Sequence, residues 1–142
     1  MPVPSIETKI EMALLNRVSS LPMIATYPIV WSTGPGTYAP SPTQPYLRCT
    51  WTPNSTQRRT TGSREPSGRP GVLQIDVMDT KTRGSIVAKE AAGQVALHFP
   101  ADHVMRFHDT RVKVSKAPSV LGPFIGTTHV QVPIEIEVEA YE

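Results

Sequence analysis

The chain has 142 residues, 39% of them apolar and 18% charged, with fifteen prolines and a net charge of +2 at neutral pH. That length leads us to expect one domain with a real hydrophobic core. The near-neutral charge argues against a dedicated nucleic-acid binder, which is usually far more basic, and the lone Cys49 rules out an intrachain disulfide or a cysteine metal cluster.

No apolar run approaches the ~20 residues that a spanning helix needs. Met1-Pro2-Val3-Pro4-Ser5 lacks the basic and apolar regions of a signal peptide. An intracellular protein with no membrane partner is therefore expected. Charge is unevenly spread: residues 1–71 carry seven Lys/Arg against three Asp/Glu, and residues 72–142 carry seven against nine. Such polarity suits a subunit that meets copies of itself or an oppositely charged neighbour.

In chain order, residues 5–21 read as an amphipathic helix, with Ile6, Ile10, Leu14, Val18 and Leu21 at spacings of three and four. Ser5 suits the N-cap, Glu7 the positive first turn, and Pro22 the stop. Glu7, Lys9, Glu11 and Arg17 are expected on a solvated face. Ile29-Val30-Trp31 reads as a short strand. From Thr33 to Pro45 the prolines forbid a central strand, and Gly34-Pro35-Gly36 is a plain loop, with no Lys-Ser/Thr following as a phosphate cradle requires.

Two alternating strands follow, Tyr46–Thr52 and Val72–Met78, each burying one face. Cys49 falls on the inner face of the first, as a small core residue. Between the strands, residues 54–71 form a polar arm carrying Arg58, Arg59, Arg64 and Arg69 against only Glu65. A loop this long is either functional or disordered. Arginines of this kind suit phosphates or an acidic protein surface, while the Ser/Thr/Gly/Pro content equally suits a solvated loop.

After a turn at Asp79–Gly84, residues 85–99 read as a helix with Val87, Ala91, Val95 and Phe99 as its apolar stripe and Ile86 beside it. Its alanines and Gly93 are expected to let it lie close to the sheet. Arg111–Ser115 reads as a strand, Pro118–Gly126 as a loop, and Val130–Ala140 as a long half-buried strand. Glu135, Glu137 and Glu139 line the open side of that last strand, and Pro133 puts it at an edge, at a bulge or near its own start. The expected fold is α+β: a mainly antiparallel sheet with two helices on one face and a long arm, in one domain over residues 1–142.

No catalytic motif emerges. His98, His103 and His108 lie near Asp102 and Asp109, but Pro100 interrupts them and the spacing is not that of a helical zinc motif. There is no nucleophile elbow, Walker motif or dinucleotide fingerprint. Three carboxylates ~7 Å apart along a strand form a ridge and do not converge. The expectation is no enzyme, no metal and no cofactor.

The order of the segments resembles the small tail-terminator-like proteins of tailed bacteriophages. The resemblance rests on Ile10-Glu11-Met12-Ala13-Leu14-Leu15, on Pro45-Tyr46-Leu47-Arg48, and on the Arg/Gly-rich stretch before Gly71–Val77. It continues through His98-Phe99-Pro100, Pro118–Pro123 and Val132-Pro133-Ile134-Glu135-Ile136. It implies a structural virion protein at the tail or neck, assembled in the bacterial host cytoplasm. Its partners would be copies of itself in a hexameric ring, the tail tube protein on one side and a neck or head-completion protein on the other. DNA would pass through the lumen without specific binding. The arm arginines would then face a neighbouring subunit or partner, and Glu135, Glu137 and Glu139 a subunit or the hole, with the arm ordered only in the assembly. Another neck protein and a nucleic-acid-binding module acting through the arm are the alternatives.

Overall fold

The computed structural model describes residues 5–23, 26–31, 44–53, 57–58 and 67–141. Two helices, α1 (Ile6–Ser19) and α2 (Ser85–Leu97), accompany strands β1 (Ile29–Trp31), β2 (Tyr46–Pro53), β3 (Gln57–Arg58), β4 (Ser67–Thr80), β5 (Val104–Phe107), β6 (Thr110–Val114), β7 (Ser119–Val120), β8 (Phe124–Ile125) and β9 (His129–Tyr141). The sheet order is β1-β2-β4-β9-β6-β5. β1 runs parallel to β2, and the other described pairings are antiparallel.

The core forms where the period-two patterns of separate strands fall into one register. Cys49, Ile75 and Ile134 are cross-strand neighbours, and so are Trp51, Leu73 and Ile136. All are buried, in one cluster with residues of both helices. α1 packs on β5 and β6, and α2 on β4 and β9. Burial, and secondarily the charge of Asp76, push the Cys49 thiol up to about 12, so it is an inert core residue.

Helix α1 begins where expected, Ser5 accepting a hydrogen bond from the Thr8 N–H. Its polar face is not simply solvated, however. Lys9 is buried, its Nζ 2.6 Å from Asp109 Oδ1 in the β5–β6 turn. Arg69 Nη1 of β4 lies 2.6 Å from Glu7 Oε1, and the Arg17 guanidinium donates to the His98 carbonyl at 2.7 and 3.0 Å. Long polar side chains thus clasp the helix to β4, to the β5–β6 turn and to the end of α2.

Four strands escaped the sequence pattern: β3, β5, β7 and β8 are two to four residues long, too short to display a period. β4 also begins at Ser67, so the end of the expected arm is strand, and it reaches Thr80 into the expected turn. β3 pairs with its start, Gln57 against Gly68 and Arg58 against Ser67.

β9 is central, flanked by β4 and β6. Pro133 is nevertheless tolerated there. A residue's N–H and C=O point to the same side of a strand, and the Pro133 carbonyl accepts from Leu121 N. Its missing donor therefore faces the gap between β7, which pairs with residues 134–135, and β8, which pairs with residues 130–131.

Candidate functional site

Two surfaces stand out: the sheet face that carries Glu135, Glu137 and Glu139, and the outward face of α2. Across the open sheet face β9 supplies Glu135, Glu137 and Glu139, in register with Gln74, Val72 and Pro70 of β4. Glu135 is exposed, and Glu137 and Glu139 are half-buried. Lys116 Nζ lies 3.0 Å from Glu137 Oε2, and Lys113 is the register partner of Glu139. The carboxylates form a row, but one laced with lysines of the same chain.

The arm arginines separate. Arg69 sits within β4, opposite Ala140, and is held by Glu7. The Arg58 backbone is in β3, while Arg59 and Arg64 lie outside the described residues. On the β2 side, Asp76 is buried beneath Arg48, whose Nη2 is 3.1 Å from Asp76 Oδ2, and Gln74 Nε2 donates to its other oxygen at 2.8 Å.

On α2 the buried stripe is Ala88, Ala91, Ala92 and Val95. Small side chains bring this helix down onto β4 and β9. Gly93 is not among them. It lies on the outward face with Ile86 and Leu97, which are 82% and 75% exposed, and a Cβ added at Gly93 would meet nothing within 4 Å. A mid-helix glycine costs up to ~1 kcal/mol relative to alanine, and no close approach within the subunit accounts for this one. Ile86, expected beside the buried stripe, points to solvent because the sheet is reached by the positions two and five residues later. A second apolar patch lies on β8, where Phe124 and Ile125 are 55% and 69% exposed. Exposed apolar patches of this kind mark association surfaces.

Behind the first turn of α2 lies a buried polar network. Tyr27 Oη donates to Asp79 Oδ2, Thr80 N donates to Asp79 Oδ1 at 2.7 Å, and Arg83 Nε is 3.6 Å from that same oxygen. The Arg83 guanidinium also lies over the Tyr27 ring, 5.8 Å from its centroid. Burial first, then the hydrogen bond and charge of Asp79, push the phenol above its usual range. Sequence reading missed this cluster because Tyr27 stands 52 positions from Asp79.

The histidines serve structural ends. His98 Nε2 lies 2.7 Å from Ser20 Oγ and 3.1 Å from the Arg17 carbonyl, and His129 Nε2 lies 2.9 Å from the Gln44 carbonyl. His108 occupies the β5–β6 turn at φ 54°. Among the described residues no three His, Cys, Asp or Glu groups are placed to hold a metal ion, and no helix is long and apolar enough to cross a membrane.

Burial, and secondarily the charge of Arg17, hold both His98 and His103 below the usual histidine range. A base depressed in the fold stabilises it fully above the unfolded value of ~6.5, and that contribution is lost as pH falls through the folded values. Melting temperature is thus expected to drop on acidification from pH 7 to 5. His98→Gln should show a smaller drop; an equal drop in both proteins would place the effect elsewhere.

A family model described as "Phage tail terminator protein" matches residues 9–137. A solved structure that bears only a sequence identifier superposes with a TM-score of 0.74 at 26% identity, covering 92% of each chain. Comparison with curated proteins finds no match.

Proposed function

This chain belongs to the phage tail terminator family, and on that premise we propose that it caps the finished tail tube as a ring, generally a hexamer, ends tube elongation and offers the surface to which the head is joined. A structural part in tail assembly comes with the family, which is not known for catalysis. The observation that carries the proposal is the family match over residues 9–137. The uncovered apolar patches on α2 and β8 support it, since a ring is built from heterologous contacts between unlike surfaces of one subunit.

Within the ring, Arg58, Arg59 and Arg64 of the arm face an oppositely charged neighbour, with the exposed end of the Glu135–Glu139 row as the complementary surface. Arg69 stands at the base of the arm, and its pairing with Glu7 makes it an anchor. The tail tube lies on one side of the ring, the neck or head-completion protein on the other, and DNA passes through the hole.

Negative-stain imaging of the purified protein with tail tubes tests the reading. Rings at one tube end are expected, and tails assembled without the protein should run past their normal length. A protein that leaves tube ends bare but joins filled heads would instead be a head-side completion protein. Reversing Arg58, Arg59 and Arg64 to Glu should dissociate the ring at low salt, read by light scattering; an unchanged ring mass would remove the arm from the contact.

A further inference from the structure

On the open sheet face, beyond the carboxylate row, Arg106 of β5 and Arg111 of β6 are direct cross-strand partners. Both are exposed. Lys113 lies two residues from Arg111 on the same face, and Tyr141 is the partner of Arg111 on β9. With Val104 these side chains line an open cleft of about 290 Å³.

Like charges directly opposite each other on adjacent strands repel and weaken the pairing. Elsewhere the chain neutralises such cations: Lys9 with Asp109, Arg48 with Asp76, Arg69 with Glu7, and Lys116 with Glu137. Lys113 is 3.4 Å from Asp102, with both side chains largely in solvent. Among the described residues, the Arg106 and Arg111 side chains have no ion-pair partner and no side-chain hydrogen bond. The nearby carboxylates do not answer them, because Glu137 is taken by Lys116 and Glu139 stands opposite Lys113. The result is a pair of facing guanidiniums that no carboxylate among the described residues answers, with the Lys113 ammonium beside them around one cleft.

We propose that Arg106 and Arg111, flanked by Lys113, form an oxyanion site for phosphate groups. Guanidinium forks match phosphate oxygens bidentately, and the ammonium adds a point charge beside them. A single carboxylate would offset only one of the three cations. Successive phosphates of a nucleic-acid backbone, or a free polyphosphate, bring several oxyanions together. The contact is independent of base sequence, since a flat strand face presents nothing to the base edges. The residues of this site belong to β5 and β6, and the site does not depend on tube capping.

The test compares the full wild-type chain with Arg106→Glu/Arg111→Glu in three measurements: retention of a short DNA duplex, melting temperature with and without inorganic pyrophosphate, and tube capping. Wild type should retain the duplex, and with two phosphates engaged per subunit its affinity should fall about tenfold between 50 and 200 mM salt. The variant should lose retention while its melting temperature and tube capping stay unchanged. If pyrophosphate raises the wild-type melting temperature but not the variant's, and no duplex is retained, the site stands with free phosphate as its ligand. Equal behaviour of both proteins toward duplex and pyrophosphate would overturn it. So would a variant whose only defect is self-association or capping, because the arginines would then face a protein surface. Loss of capping by wild type itself would count against the terminator role and leave the site to be judged on the other two measurements.

Discussion

Replacing Asp79 with Ala should lower the free energy of unfolding by about 3–5 kcal/mol, the usual result of removing one member of a buried charged network. Asp79 is fully buried. The Tyr27 hydroxyl and the Thr80 amide both donate to its carboxylate, and the Arg83 guanidinium lies close by. Ala fills none of these roles, so a phenol and a backbone N–H are left buried without an acceptor. Asn keeps one carbonyl oxygen and loses the charge; its effect should be smaller, about 1–2 kcal/mol. Tyr27→Phe combined with Asp79→Ala should cost less than the sum of the two, since each deletes the same hydrogen bond. Urea titration at constant slope reads all of these. A change below ~0.5 kcal/mol for Asp79→Ala, the range of ordinary surface substitutions, would show that the network contributes nothing net. Because α2 begins just after this cluster, the variant should also loosen the outward stripe that carries Ile86.

The second large effect is expected at Gly71, and it arises from crowding. A Cβ built there would lie 2.2 Å from Trp51 Cη2 and 2.8 Å from two further ring atoms. Trp51 sits on β2 two residues from Pro53, the partner of Gly71, and opposite Leu73, with its indole lying across the glycine. Any side chain at position 71 must therefore lift the ring out of its site. Gly71→Val should cost about 3 kcal/mol, the upper range for overpacking a filled core, with a red shift in tryptophan emission as Trp51 meets water. Trp51→Leu in the same chain should recover part of the loss by freeing the space. If Gly71→Val were as stable as wild type, the indole would not be packed on the glycine.

Gly71 also shows where sequence reasoning ran out. By composition it closes the polar arm; in the fold it lies in mid-strand, opposite Pro53 and Val138, and it is small because a tryptophan lies over it. The same holds for Gly93. Its place in an alanine-rich helix suggested contact with the sheet, yet the helix turns it outward, since Ala88, Ala91, Ala92 and Val95 already form the inner stripe. Pro133 pointed to an edge, a bulge or a place near the strand's start; it lies four residues from the start of β9, on the side that β7 and β8 leave open. Arg69 belonged by sequence to a free arm and by structure to a clasp on α1. Arg106 carried no signal at all, because β5 is four residues long and its partner across the hairpin gives it meaning.

The sequence by itself determined the elements whose periodicity is long enough to read: α1, α2, and the strands β2, β4 and β9 with their buried faces. Burial alternates with backbone geometry, and that geometry is local. The tertiary structure alone decided which polar side chains are clasped, which glycines face a neighbour, and which like charges face each other across a strand pair. Those depend on segments brought together across the sheet, where pairing register sets the neighbours and no local pattern records them.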